Sequence, residues 1–177
     1  MTLFPSYSLR PQPTRSLFIS YHHDRDQAYY GAFSRTYSST YGVVRDNSLD
    51  RFVDSDDPEY VMRRIRENYI TGTSCTIVLC GPYTQQRKYV DWEIKATLDK
   101  GHGLIGVQLP NLFANSQGLV YLPTRLNANI KTGYALWITW STLVDGGALN
   151  LKRLVEAAIS RPNRLIINPK ELKTRNG

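Results

Sequence analysis

The sequence predicts an α/β protein: a three-layer sandwich around a five-stranded, mostly parallel sheet. Two observations favour this fold class. Short apolar runs recur along the 177 residues, and amphipathic segments with helical spacing lie between them. Strands that alternate with helices in this way are typical of a parallel sheet covered on both faces. Because crossover connections are right-handed, the simplest arrangement is flavodoxin-like, with strand order 2-1-3-4-5.

Five apolar runs are the predicted strands, and they lie at residues 17–21, 43–44, 75–80, 104–109 and 134–140. The third run, CTIVLC, is apolar throughout, which is the pattern of a strand covered on both faces. An odd number of positions separates Cys75 from Cys80, so their side chains point to opposite faces of a strand and cannot bridge each other. Two buried thiols of this kind fit a reducing, cytoplasmic compartment.

Helices are predicted between these strands, over about 25–40, from Pro58 to Gly72, over 89–98 and from Asn150 to about 159. Asp57-Pro58-Glu59 combines a cap, a proline at the first helical position and an acid in the first turn. Asp24 and Asn150 are the predicted caps of the first and last helices. Residues 111–134 are predicted to be a long irregular connection.

The chain divides into an extension at 1–15 with three prolines, a domain at 16–162 and a basic tail at 163–177. The net charge of +7 lies at the two ends, because residues 16–149 hold 13 basic and 13 acidic residues. A nucleic-acid module carries its positive charge on the folded face, so nucleic acid is not expected as the principal ligand. We also expect no membrane association, because no apolar run approaches ~20 residues, and the N-terminus lacks the features of a secretory signal.

Several common sites are excluded by their missing motifs. The GxGxxG, P-loop and GxSxG patterns are absent, which leaves a hydride-transfer Rossmann enzyme, a P-loop NTPase and an α/β-hydrolase without support. The acidic loop at 46–57 lacks the glycine and glutamate of a calcium loop. His22-His23 has no further ligands at metal-binding spacing. We therefore expect no metal site.

The fold itself predicts where a ligand binds. In an open parallel sheet, ligands bind beyond the carboxyl ends of the strands, where the strand order reverses between strands 1 and 3. Residues 20–24 follow the first strand and residues 81–84 follow the third. The loop after strand 2 lies at the same edge of the sheet and could cover the pocket.

Glu93 is the candidate functional carboxylate. It follows Trp92 and is flanked by the apolar residues Val90 and Ile94, which places it near the boundary of the core. A carboxylate whose solvation is limited is suited to acid–base or charge-stabilising chemistry. The alternative is a surface glutamate in the first half of a helix, where the helix dipole favours it.

Two segments resemble TIR domains. Residues 17–21, LFISY, resemble the first TIR strand, and residues 89–94, YVDWEI, resemble the segment in which an aromatic residue lies four positions before the functional glutamate. The FISYHHD opening, the Asp- and Ser-containing loop after strand 2 and WEIKATLDKGHGLIGV are similar to the bacterial TIR-like branch that includes the ThsB proteins of Thoeris anti-phage defence. The resemblance covers about residues 17–110 and continues more weakly to about 160.

The resemblance implies chemistry on NAD+, as a substrate and not as a resident cofactor. Enzymatic TIR domains break the nicotinamide–ribose bond, and ThsB-type proteins release a cyclic or otherwise modified ADP-ribose that activates a separate effector protein. Glu93 then becomes the expected catalytic residue, and a homo-oligomer is compatible with the family. The expected nucleotide-binding residues are Phe18, Ser20, Tyr21, His22 and Asp24, with Gly81 and Tyr83 opposite, and Asp46, Asn47 and Ser48 in a mobile loop above them.

Two other classes of function stay open at this point. One is a TIR-like adaptor without catalysis, in which Glu93 is a surface residue and NAD+ is never consumed. The other is a nucleotide-binding or nucleic-acid-associated module that uses the basic ends of the chain. The sequence does not choose among linear, cyclic and conjugated products.

Overall fold

A single parallel sheet forms the centre of the protein. The computed structural model describes residues 15–41, 44–45, 55 and 57–177. The strands are β1 (Leu17–Ser20), β2 (Val44–Arg45), β3 (Cys75–Cys80), β4 (Gly103–Gln108) and β5 (Leu136–Thr139). Their order is β2-β1-β3-β4-β5, and every neighbouring pair is parallel. The predicted fold class and strand order are confirmed.

Six α-helices connect or follow the strands in the described residues: α1 (His23–Tyr37), α2 (Pro58–Ile65), α3 (Lys88–Asp99), α4 (Thr124–Lys131), α5 (Trp140–Val144) and α6 (Gly147–Ile159). A π-helical turn, Arg66–Ile70, continues α2, and short 3-10 turns form at Thr84–Gln86 and Asn163–Leu165. None of these helices is both long and apolar enough to cross a bilayer.

The helices form two layers, one on each face of the sheet. Residues of α1 and α6 pack with one face in a single apolar cluster, and residues of α2, α3 and α4 cover the other face. Within β3, Cys75 belongs to the first cluster and Cys80 to the second, as the odd spacing predicts. Both thiols are buried and free, and burial raises the pKa of each.

One of the three predicted helix caps is confirmed, and two are wrong. Asp57 accepts a 3.0 Å hydrogen bond from the Glu59 amide at the start of α2. Asp24 lies inside the first turn of α1, because the helix begins at His23 and its N-cap residue is His22. Asn150 lies inside α6, and its Nδ2 donates a 2.6 Å hydrogen bond to the Thr142 carbonyl of α5. The positive φ of Gly147 (62°) allows a new helix to begin directly after α5.

The connection at 111–134 is not irregular throughout, because it contains α4. The inner face of this helix carries Arg125, Leu126 and Asn129, all buried. Two polar residues on the buried face interrupt the apolar stripe by which a helix is predicted. Both of them bind the segment at the C-terminal end of the chain.

That segment, predicted as a basic tail, lies against α3 and α4 from residue 163 onward. Asn129 donates from Nδ2 to the Ile167 carbonyl (2.8 Å) and accepts at Oδ1 from the Ile167 amide (3.0 Å). The indole Nε1 of Trp92 donates a 2.8 Å hydrogen bond to the Lys173 carbonyl. Hydrogen bonds from the buried side chains of Asn129 and Trp92 therefore hold the backbone of the segment in place. The basic composition of the segment does not indicate this packing.

Candidate functional site

Glu93 lies inside the protein, facing the end of β1. Its side chain is completely buried, and Ser20 Oγ donates a 2.6 Å hydrogen bond to Glu93 Oε2. Ser20 is the last residue of β1 and pairs with Val78 of β3. The alternative that Glu93 is a surface residue is therefore wrong. The carboxylate is thus bonded to the end of β1, one of the two strands between which the strand order reverses, and this reversal is where the fold is expected to bind a ligand.

The helical repeat of α3 explains this placement. Val90, Ile94 and Leu98 form the apolar stripe that packs on the sheet, and Glu93 lies beside it. One turn later, Thr97 Oγ1 donates to the Glu93 carbonyl (2.8 Å) and lies 2.7 Å from Thr76 Oγ1 of β3. Two buried polar contacts thus join α3 to the sheet, and they fix the rotation of the helix about its axis.

Phe18 and Tyr21 belong to the core and not to an open pocket. Phe18 is completely buried in the cluster with Trp92, and its ring centroid lies 6.2 Å from that of Tyr69. Tyr21 points to the α1 layer, where its ring stacks on Tyr30 with centroids 4.8 Å apart. Neither aromatic ring presents a free face to a ligand in this structure, so both rings are part of the core beside the site.

His22 and Tyr83 meet across the reversal point. His22 follows β1 and is 8% exposed, Tyr83 follows β3 and is 46% exposed, and their rings lie edge to face with centroids 6.5 Å apart. The Arg25 guanidinium lies 5.3 Å from the Tyr83 ring centroid, within cation–π range. Asp24 is exposed on the first turn of α1. Asp46, Asn47 and Ser48 lie outside the described residues.

A buried carboxylate, Asp26, is part of this edge and was not predicted. A Cβ atom at Gly81 would lie 2.5 Å from Asp26 Oδ1, so only glycine fits there without a shift. Thr84 Oγ1 accepts a 2.8 Å hydrogen bond from the Gly81 amide and lies 3.3 Å from Asp26 Oδ2. Asn111 Nδ2, from the loop after β4, lies 3.5 Å from Asp26 Oδ1.

Burial raises the pKa of Asp26, while the hydrogen bonds from Asn111 and Thr84 and the nearby His22 oppose that change. Asp26 resembles an ordinary acid in the first turn of a helix, and its place four residues after His22 is the only hint in the sequence that it could share the site. The hydrogen bond between the Gly81 amide and Thr84 Oγ1 closes a local turn, and the sequence GPYT at residues 81–84 is typical of such a turn.

Two cavities lie away from Glu93. One of about 320 Å³ is bounded by α3, α4 and the C-terminal segment and is lined in part by Asp91 and Arg125. Another, of about 490 Å³, lies beyond β4 and β5 beside Phe113 and Trp140. Glu93 and Ser20 line neither of them. Within the described part of the chain, no group of three His, Cys, Asp or Glu side chains is placed to hold a metal ion.

No curated protein matches the chain significantly. The family model for the TIR-like domain of Thoeris protein ThsB matches residues 18–113, more than half of the chain, a range that includes β1 from Phe18 onward, β3, β4, Glu93 and Asp26. The sequence and the architecture agree, and the chain belongs to the family of the ThsB TIR-like domain.

Proposed function

We propose that this TIR-like protein is an anti-phage defence enzyme that cleaves the nicotinamide–ribose bond of NAD+. The product is an ADP-ribose-derived signal, cyclic in form, which activates a separate effector protein. The observation that carries this proposal is the complete burial of Glu93 at the end of β1, with Ser20 bonded to one of its oxygens.

The charge of the reaction fits a single carboxylate. When the bond between the nicotinamide nitrogen and ribose C1′ breaks, nicotinamide leaves as a neutral base and positive charge develops on the sugar. A carboxylate held in a water-poor environment stabilises that charge more strongly than it would in water. Because the leaving group departs neutral, no general acid is needed, and one acidic side chain is sufficient.

The edge around Glu93 offers groups suited to the rest of the dinucleotide. Tyr83 presents a half-exposed aromatic ring, and Arg25 beside it carries a positive charge that suits a pyrophosphate. For a signal to form, the adenine must fold back toward the ribose while water is kept out. We assign the substrate to the edge of the sheet formed by Ser20, His22 and Tyr83.

The cellular setting follows from the same proposal. A diffusible nucleotide connects the enzyme to its effector without contact between the two proteins. Free, buried Cys75 and Cys80 suit the reducing cytoplasm, where NAD+ is the substrate. Self-association of the chain is compatible with this scheme.

The test compares wild type with Glu93→Gln, which keeps the shape of the side chain and removes its charge. Both proteins are incubated with NAD+, with and without extract from phage-infected cells, and the products are identified by mass spectrometry. We expect Glu93→Gln to lose nicotinamide release by at least about a hundredfold, the usual scale for a charge-stabilising group. Glu67→Gln, at an exposed position, is the matched control. Full turnover by a folded Glu93→Gln protein would overturn the assignment.

A second candidate is a TIR-like adaptor without catalysis, although the surface position of Glu93 expected for it is wrong, because Glu93 is buried. Since Glu93 has no exposed surface and is bonded to Ser20, it could serve only to join α3 to β1. In that case the wild-type protein leaves NAD+ intact even with infected extract, while Glu93→Gln loses stability. Nicotinamide release by wild type decides between the two candidates.

A further inference from the structure

The loops that follow β1, β3 and β4 converge on one side chain, Asp26. The carboxylate is completely buried on the first turn of α1, and its backbone amide donates a 2.9 Å hydrogen bond to the His22 carbonyl. Gly81, in the loop after β3, leaves no room for a Cβ atom beside it, and Asn111 in the loop after β4 donates a 3.5 Å hydrogen bond to its Oδ1. The mechanism above uses Glu93 and leaves Asp26 without a role.

Thr84 connects Asp26 to the loop that contains Tyr83. Its hydroxyl is buried, accepts a hydrogen bond from the Gly81 amide and lies 3.3 Å from both Asp26 Oδ2 and the Leu79 carbonyl. Residues 81–84 are therefore held at both ends against α1. Tyr83 lies inside this turn, with its ring edge-on to His22.

We propose that Asp26 is a positioning residue that keeps this turn closed against water, and so sets the ratio of signal nucleotide to free ADP-ribose. The inference rests on the proposed function. In both outcomes the bond from ribose C1′ to the nicotinamide nitrogen breaks, and its electron pair leaves with neutral nicotinamide. An attacking water forms a C1′–O bond and releases one proton to solvent. An attacking adenine nitrogen forms a C1′–N bond, and the positive charge passes to the base.

The competition between water and adenine depends on the turn at residues 81–84, which borders the site. Intramolecular attack by adenine needs a fixed geometry, whereas water needs only access. If the turn that carries Tyr83 is released, water enters the site more easily and the adenine is held less firmly beside the ribose. Loss of the Asp26 contacts is therefore expected to favour hydrolysis without abolishing cleavage, since Glu93 and Ser20 are untouched.

Two pairs of variants test this role. Asp26→Ala and Thr84→Val remove the contacts, while Asp26→Asn and Thr84→Ser keep an oxygen at the same place. For Asp26→Ala and Thr84→Val we expect the ratio of free ADP-ribose to signal to rise about fivefold and KM for NAD+ to rise, as loss of a buried hydrogen bond implies. For Asp26→Asn and Thr84→Ser we expect values within about twofold of wild type.

The product ratio separates positioning from stability, because a smaller folded fraction lowers the rate but leaves the ratio and KM unchanged. Wild-type ratio and KM in folded Asp26→Ala and Thr84→Val proteins would overturn the inference, and Thr84→Val decides alone if Asp26→Ala does not fold. The inference would also be overturned if Asp26→Asn changed the product ratio as much as Asp26→Ala does. A wild-type protein that makes only free ADP-ribose would overturn it too. A wild type that never consumes NAD+ overturns the proposed function instead.

Discussion

Ser20 and Glu93 form a buried hydrogen bond of 2.6 Å that joins the last residue of β1 to the middle of α3. Neither side chain has any exposed surface. If the Ser20 hydroxyl were removed, water could therefore not replace it as the donor to the Glu93 carboxylate. The Ser20 hydroxyl is therefore a structural requirement of the buried carboxylate, whatever chemistry the carboxylate performs.

Ser20→Ala is expected to lower the free energy of unfolding by about 1–3 kcal/mol, the cost of leaving a buried polar group without its partner. Urea denaturation measures this change. The control is Ser160→Ala, because the exposed Ser160 hydroxyl donates only to the Ala157 carbonyl of its own helix and its removal is expected to change stability by less than about 0.5 kcal/mol. Equal stability of the two variants would contradict the importance of the buried contact.

Gly81→Ala tests the close approach of Asp26. The added Cβ atom would lie 2.5–2.8 Å from the Asp26 carboxyl group, so we expect a loss of about 1–3 kcal/mol, typical of overpacking. The double variant Gly81→Ala/Asp26→Ala removes the atoms that clash. It is expected to be more stable than the sum of the two single changes predicts, a coupling that a double-mutant cycle measures. Simple additivity would show that the clash is relieved elsewhere.

The raised pKa of Asp26 predicts the direction of a pH effect. Burial raises the pKa of Asp26 above the ordinary value of 3.8, so between the unfolded and the folded pKa the folded protein binds more protons at this group than the unfolded chain does. The stability contribution of Asp26 is complete below pH 3.8 and falls as pH rises through the folded pKa, by at most about 1.4 kcal/mol per pH unit.

Asp26→Asn, which cannot ionise, is therefore expected to gain stability relative to wild type as the pH rises from about 4 toward neutrality. Denaturation midpoints at a series of pH values measure the difference. Asp24→Asn is the matched control from the exposed side of the same turn. An Asp26→Asn protein whose stability relative to wild type is constant across this range would contradict the burial effect.

The sequence was sufficient for the elements whose pattern is local. The uninterrupted apolar run of β3 and the four-residue spacing of Val90, Ile94 and Leu98 in α3 locate both elements and place Glu93 beside the apolar stripe. Strand order followed from the alternation of strands and helices, because handedness leaves few arrangements. The position of Glu93 at the reversal point follows from these two results together.

What could not be predicted depends on contacts between distant parts of the chain. Asp26 and Asn111 are 85 positions apart, and no local pattern indicates that they meet. Arg125 and Asn129 would count as surface residues by composition, yet they are buried because they bind residues 167–171. A single sequence contains no signal for such pairings, so α4 and the packing of the C-terminal segment were missed.

Arg125 of α4 joins this helix to α3 and to the C-terminal segment. It is 5% exposed and forms an ion pair with Asp91 of α3, with Nε–Oδ1 and Nη2–Oδ2 distances of 3.0 and 3.3 Å. It also donates to Asn168 Oδ1 and to the carbonyls of Pro169 and Glu171. All of these acceptors are lost together when the guanidinium is removed.

Arg125→Met is expected to destabilise the protein by about 3–5 kcal/mol, because it leaves the Asp91 carboxylate buried without its cation. Arg15 supplies the matched control: it makes the same two-point contact with Glu156, at 2.9 and 3.2 Å, but in a pair that is 39% and 45% exposed. Arg15→Met should therefore cost at most about 1 kcal/mol. Urea denaturation compares the two, and hydrogen exchange should show that only Arg125→Met lowers the protection of α3. A similar loss from both variants would mean that burial does not distinguish the two pairs. Wild-type protection of α3 in Arg125→Met would mean that the C-terminal segment contributes little to holding the helix that carries Glu93.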